Sequence, residues 1–162
     1  MAGEKTAVVA VGGNALIRAK GAEALDSQYA AVADTVRHVV DLVEAGWRVV
    51  LTHGNGPQVG FILRRSEIAK DSVPTVPLAY AVGDTQGAIG FMFQNALDNE
   101  LIRRGRGSQR VIALVTQTRV DADDPAFDKP DKPIGAHMDK EVTEQLAAQQ
   151  GWHIAEDSGR GW

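Results

Sequence analysis

The stretch "VAVGGNALI" (Val9–Ile17) breaks an apolar run on two glycines and an asparagine. A strand heading into the interior of a domain gains nothing by packing Gly12, Gly13 and Asn14, so something other than burial selects them. A turn is the simplest answer, since Gly and Asn tolerate positive φ. A bare backbone held open for an anion is the sharper one, because main-chain N–H groups at a helix start attract negative charge. Taken alone, the stretch favours the turn.

The surrounding composition narrows the field. The chain has 162 residues, 44% hydrophobic and 23% charged, which suits one globular domain with a real core. A net charge of −4 and a pI near 5.5 argue against a general nucleic-acid or anionic-membrane surface. The one basic cluster, "RRGRGSQR" (Arg103–Arg110), reads as a solvated turn because glycines interrupt it. There are no cysteines, so neither a disulfide framework nor a thiolate metal site is available. The four histidines, His38, His53, His137 and His153, show no metal-ligand spacing. No apolar run reaches the length of a signal peptide or a membrane span, and a cytoplasmic protein is the expectation.

Working outward from the opening stretch, Thr6–Val11 reads as a buried strand. The following "DSQYAAVADTVRHVVDLVEAG" spaces Tyr29, Val32, Val36, Val39, Val40 and Val43 as a helix, with Asp26 or Ser27 as N-cap and Gly46 past its end. Trp47–Thr52 is a second buried strand, and a helical pattern resumes in "VGFILRRSEIA". A long helix follows, with Ile89, Phe93, Leu97 and Leu101 on one stripe. Gly83, Gly87 and Gly90 share a face, for which helix–helix packing is the expected reason. Arg110–Thr116 reads as a third buried strand, completing the grammar of a mostly parallel α/β sheet. After Thr118 the chain turns polar, with three prolines among acids and lysines, and reads as an excursion from the sheet. A short helix over Lys140–Gln149 and a strand-like "WHIAE" (Trp152–Glu156) close it.

A second glycine loop, "THGNGPQVG", sharpens the opening question. Both loops follow a strand, and in a parallel sheet both emerge at the carboxyl edge, where ligands bind. Two successive strands ending in Gly/Asn clusters fit an anion site better than two accidental turns. Asn14 and Asn55 would add neutral donors without the repulsion a carboxylate brings. No G-x-x-x-x-G-K-[ST] is present, so this is not a P-loop. "GNGPQVG" is one residue longer than the dinucleotide fingerprint and lacks its acidic residue about twenty positions on, which makes a dinucleotide module the distant second.

In order and spacing, "VAVGGNA", "THGNGPQVG", "DKPDKPIG" and "EDSGRGW" resemble the N-terminal half of carbamate kinases, members of the amino acid kinase superfamily. The resemblance runs from Thr6 to Trp162. It implies a three-layer αβα sandwich around a mainly parallel sheet, truncated here, with a protruding subdomain. Residues 1–118 would be the carbamate- and phosphoryl-binding half of the kinase domain, and 119–162 the protruding subdomain. The implied activity is reversible phosphoryl transfer between ATP and carbamate, giving carbamoyl phosphate and ADP, often in arginine catabolism. ATP/ADP with Mg²⁺ would be the cofactor, small molecules the partners, and a cytoplasmic homodimer the assembly.

Carried over to matching positions, Gly12, Gly13 and Asn14 would face the transferred phosphoryl group, while Gly54, Asn55 and Gly56 would hold carbamate and that group. Many superfamily relatives place a lysine two residues before the first glycine pair, where this chain has Ala10. In carbamate kinases the "KPIG" lysine takes that role, which makes Lys132 the catalytic candidate, bracketed by Pro130 and Pro133. Phosphoryl transfer needs positioning and positive charge on the equatorial oxygens, and a lysine is a point charge on a long stem. Lys129 and Lys140 read as ordinary solvated lysines. The family commonly follows "KPIG" with Pro and an aromatic, whereas Ala136 and His137 stand here, and it continues past "GRGW" into a half that binds ATP. Two other readings stay open: a non-catalytic truncated chain that binds a small anion, and another superfamily member acting on a different acid.

Overall fold

A computed structural model describes residues 5–19, 21–130, 134, 138–156 and 161–162. By contact the chain falls into two compact units, Met1–Asn55 with Ala79–Val115, and Gly56–Leu78 with Thr116–Trp162.

The first unit is a βαβ arrangement. Strand β1 (Lys5–Val11) leads through the single turn α1 (Gly13–Leu16) to helix α2 (Leu25–Glu44) and strand β2 (Trp47–His53). β1 and β2 pair in parallel, Val8 opposite Val50 and Val11 opposite His53. Parallel neighbours need a crossover, and α2 supplies it. Its valines at 32, 36, 39 and 40 fall on one face at helical spacing and are all buried. They pack with Val11, Leu16 and the buried stripe of helix α4 (Leu78–Arg103), Ile89, Phe93, Ala96, Leu97 and Leu101. Val9, Val49 and Leu51 close this core from the sheet side.

Several expectations need correction. The two strands are not buried on both faces: exposure alternates, and Val8 and Val50 stand 69% and 50% exposed on the face away from α2. Arg110–Thr116 forms no ladder, because the sheet among the described residues contains only β1 and β2. The segment lies against α4 instead, where Gln94 Nε2 donates to the Val111 carbonyl at 3.1 Å. Ile112, Leu114 and Val115 remain exposed. The glycine stripe of α4 serves no helix–helix packing among the described residues. A Cβ on Gly83 or Gly87 would meet nothing, and one on Gly90 would touch the Ala113 Cβ at 3.1 Å. The N-cap of α2 is Ala24, two residues before the expected Asp26 and three before Ser27. It makes no side-chain cap, although Asp26 sits in the first turn, where its charge suits the helix dipole. Gly46 does end α2, at φ +84.

The basic cluster is largely the exposed turn expected, with Gly105 at φ +72, but Arg104 within it is held rather than solvated. Arg104 keeps only 17% of its side chain exposed and reaches Asp41, Glu44 and Glu100, and it donates to the Arg37 carbonyl at 3.0 Å. It fastens the end of α4 to the end of α2. The first loop therefore stands on a well-anchored scaffold.

In the second unit, helix α3 (Gly56–Ile68) is followed by a turn in which Val76 N–H donates to Ser66 Oγ at 2.6 Å. A single 3₁₀ turn, Pro125–Phe127, is capped by the Asp124 carboxylate on Ala126 N–H. Helix α5 (Lys140–Gln150) ends on Gly151 in the left-handed region at φ +69, as a glycine there permits. Trp152–Glu156 has no strand pairing, so the strand-like reading fails. Met138 and Trp162 exchange two backbone hydrogen bonds at 2.9 and 3.0 Å, and Lys140 Nζ lies over the Trp162 ring. No helix among the described residues is long and apolar enough to cross a membrane.

Candidate anion-binding site

β1 and β2 end side by side, so their following loops start side by side. Gly12 is the N-cap of α1, at φ −67 and ψ 156, and its carbonyl accepts from Ala15 N–H at 2.9 Å. On the neighbouring strand, Gly54 N–H donates to the Val11 carbonyl at 2.8 Å, prolonging the parallel pairing into the loops.

These contacts decide between the two explanations of the glycines. Among the described residues the positive-φ glycines are 21, 46, 105, 151 and 161, and neither Gly12, Gly13, Gly54 nor Gly56 is one of them. A turn requirement therefore selects none of the four. Gly54 is required by proximity: a Cβ there would lie 2.8 Å from Gly13 N and 3.6 Å from the Gly12 carbonyl carbon. No real Cβ tolerates main-chain atoms so close. Gly12 is different, because a Cβ on it would meet nothing within 4 Å. One glycine lets the two loops touch, and the other leaves space beside them.

Among the first N–H groups of α1, that of Ala15 is taken by the Gly12 carbonyl, while those of Gly13 and Asn14 have no partner one turn earlier in the helix. Gly56, the residue after Asn55, begins α3, so the second loop also runs into a helix start. Asn55 points its amide back into the first unit, where Nδ2 donates to Thr85 Oγ1 at 2.8 Å. His53, the last residue of β2, stacks on Phe93 with ring centroids 6.2 Å apart, and its Nδ1 lies 3.3 Å from the Gly54 carbonyl oxygen.

Of the sequence candidates, Gly12, Gly13, Gly54 and Asn55 come together at the strand ends. Gly56 follows directly in the chain, and the backbone of Asn14 belongs to α1. The Asn14 side chain and Lys132 lie outside the described residues, as do Pro133, Ala136 and His137. The loops themselves carry no charged side chain. No group of three or more His, Asp or Glu residues capable of holding a metal occurs among the described residues. Two depressions, of about 480 and 470 Å³, lie elsewhere in the first unit, one beside Arg18, Asp34 and His38 and the other beside Asp98, Gly107 and Arg110.

Sequence reasoning missed Thr85. It is 1% exposed, and its signal was available: one turn before Ile89 on the apolar stripe stands a hydroxyl. A polar side chain at a core position needs a partner, and Asn55 is that partner.

Parallel strands joined by a packed helix, each running into a glycine loop at its carboxyl end, define an α/β protein with adjacent loops open to a ligand. Comparison narrows this further. Carbamate kinase of Pyrococcus furiosus is 42% identical over 160 residues, 98% of this chain and 51% of the relative. Carbamate kinase-like protein YahI of Escherichia coli is 44% identical over 158 residues, 96% of this chain and 49% of the relative. Among solved structures, carbamate kinase from Giardia lamblia bound to AMP-PNP superposes with a TM-score of 0.84 at 39% identity, covering all of this chain and 51% of that one. No protein-family model matches. The chain is a carbamate kinase homologue with a carbamate kinase-like α/β fold, and it spans about half the length of the curated relatives it matches.

Proposed function

We propose that this chain forms the carbamate- and phosphoryl-binding half of a carbamate kinase. The reaction is the reversible transfer of a phosphoryl group between ATP and carbamate, in a cytoplasmic setting of arginine or carbamoyl phosphate catabolism. The observation that carries the reading is the close approach of Gly54 to Gly13, which brings the main chains of two strand-end loops together beside the open space at Gly12. Such a place recognises charge and shape through N–H groups. That is what phosphoryl transfer, which asks for positioning more than covalent chemistry, requires of a protein.

In this reading Gly12, Gly13 and Asn14 orient the transferred group, and Gly54, Asn55 and Gly56 orient carbamate. Lys132 supplies the positive charge that the loops lack. The bare sheet face at Val8 and Val50 is the middle layer's second side, as a three-layer αβα sandwich requires, with 119–162 as the protruding subdomain. ATP, when bound, supplies the phosphoryl group, and its adenine site belongs to the part of the relatives this chain does not span. Among the described residues no group of three or more carboxylate or histidine side chains is placed to hold Mg²⁺.

The test is titration of the chain with carbamoyl phosphate. Wild type should bind. Lys132→Ala should weaken binding by about tenfold or more, the scale of one lost charged hydrogen bond, while Lys129→Ala leaves it nearly unchanged. Equal affinities for the two variants would remove Lys132 from the site. A second reading is a non-catalytic chain that only binds the anion. Binding without turnover would support it.

A further inference from the structure

Asn55 is held from behind by a buried hydroxyl. Its Nδ2 donates to Thr85 Oγ1 at 2.8 Å, and Thr85 Oγ1 donates its own proton to the Val82 carbonyl at 2.7 Å. A hydroxyl has one proton, and a carbonyl only accepts. With that proton given to Val82, Thr85 has only an acceptor left for Asn55. The amide is thereby fixed with its nitrogen, not its oxygen, toward α4, which settles an orientation that is otherwise ambiguous. Around it the stripe is apolar, with Ala81 at 0% and Ile89 at 2% exposed, so packing alone would be served as well by valine.

We propose that Thr85 is a positioning residue of the site. It locks the Asn55 amide so that its second Nδ2 hydrogen is held as a side-chain donor for a bound anion. This rests on the reading that the loops take carbamoyl phosphate. Fixing a donor before the ligand arrives removes the ordering cost from binding, so the expected effect is on affinity more than on folding.

The experiment uses the ¹⁵N-labelled chain with Thr85→Val and Thr85→Ser, and carbamoyl phosphate and inorganic phosphate as probes. In wild type and Thr85→Ser the Asn55 side-chain NH₂ should show the relaxation of an ordered group. In Thr85→Val it should relax like a mobile surface amide, with main-chain resonances of α2 unchanged. Carbamoyl phosphate should bind Thr85→Val about tenfold more weakly, the scale of one lost hydrogen bond, and Thr85→Ser should restore affinity. In an Asn55→Ala background, Thr85→Val should cost no further affinity, since the two act as one unit. An equally ordered Asn55 amide in Thr85→Val, or unchanged affinity while wild type binds, would overturn the positioning role alone. Should Thr85→Val not fold, Thr85→Ala is read by the same criteria. If wild type binds neither probe, the site reading fails and the positioning role goes with it.

Discussion

Gly54 and Gly12 are the same residue type in adjacent loops, yet the surroundings give them opposite tolerances. A Cβ on Gly54 would sit 2.8 Å from Gly13 N, and main chain does not yield as a flexible side chain does. Gly54→Ala should therefore cost about 1–3 kcal/mol, the usual cost of overpacking, and lower the urea midpoint. Gly12 has open space and a backbone at φ −67 that any residue adopts. Gly12→Ala should leave stability unchanged or raise it by up to about 1 kcal/mol, through the stiffer unfolded chain. The same methyl should weaken carbamoyl phosphate binding, because it occupies the space beside the α1 donors. Denaturation and titration of both variants check this. A Gly12→Ala chain that binds normally would show that the space is solvent and nothing more. The sequence raised this question and could not answer it, because φ and neighbour distance are both invisible in "VGGN" and "HGNG". Thr85 was visible as an anomaly on an apolar stripe. Its partner was not, since Asn55 lies 30 positions away.

At the scale of elements, the periodicities carried most of the information. Valines at helical spacing foretold α2 to within two or three residues, and the stripe on α4 foretold the core. What periodicity misread was Arg110–Thr116, because an apolar run shows the capacity to pair while a ladder also needs a neighbour. Its amides should exchange with solvent far faster than those of β1 and β2 in native-state hydrogen exchange. Protection equal to that of the strands would show pairing that the described chain does not contain. Charge spacing likewise concealed Arg104, whose three carboxylate partners come from two helices. Glu100, 9% exposed at its side chain, has its carboxyl pulled down from 4.5 to about 2. The bond from Arg103 contributes most, against the opposing effect of burial, and Arg104 adds to it. Because the folded value is depressed, the stabilisation is fully present above about pH 4.5 and is lost as pH falls through 4.5 toward 2. The wild-type urea midpoint should fall over that window more steeply than that of Glu100→Gln. Parallel curves would mean that the α2–α4 fastening does not depend on this charge. Arg103 is 65% exposed and Arg104 17%, so added salt should screen the first contact more than the second.

Among the described residues, the two-stranded sheet of the first unit packs on helices with one face and leaves side chains of the other face exposed. Val8 and Val50 are exposed there, and Ile112, Leu114 and Val115 are bare as well, at 76%, 74% and 67%. Apolar surface and unpaired strand edges favour association. The purified 162-residue chain should accordingly sediment as a concentration-dependent mixture, and Val50→Lys should shift it toward monomer. On the proposed reading the anion-binding loops lie within the chain, and the donor-nucleotide site lies in the part of the relatives that it does not span. Carbamoyl phosphate binding and ATP formation should therefore come apart. With carbamoyl phosphate and ADP supplied, the chain should bind the first and yield no ATP at enzyme-like rates. Removing even one well-placed charge from a phosphoryl-transfer site can cost about a thousandfold, and here the whole donor side is in question. Sustained ATP synthesis by the chain, free of any longer kinase, would mean that its own residues assemble both halves of the reaction. That would happen most simply through the association just described, with one copy lending its surface to another. Activity rising with the square of chain concentration would then identify the dimer as the catalyst, and activity linear in concentration would place the donor site within a single copy.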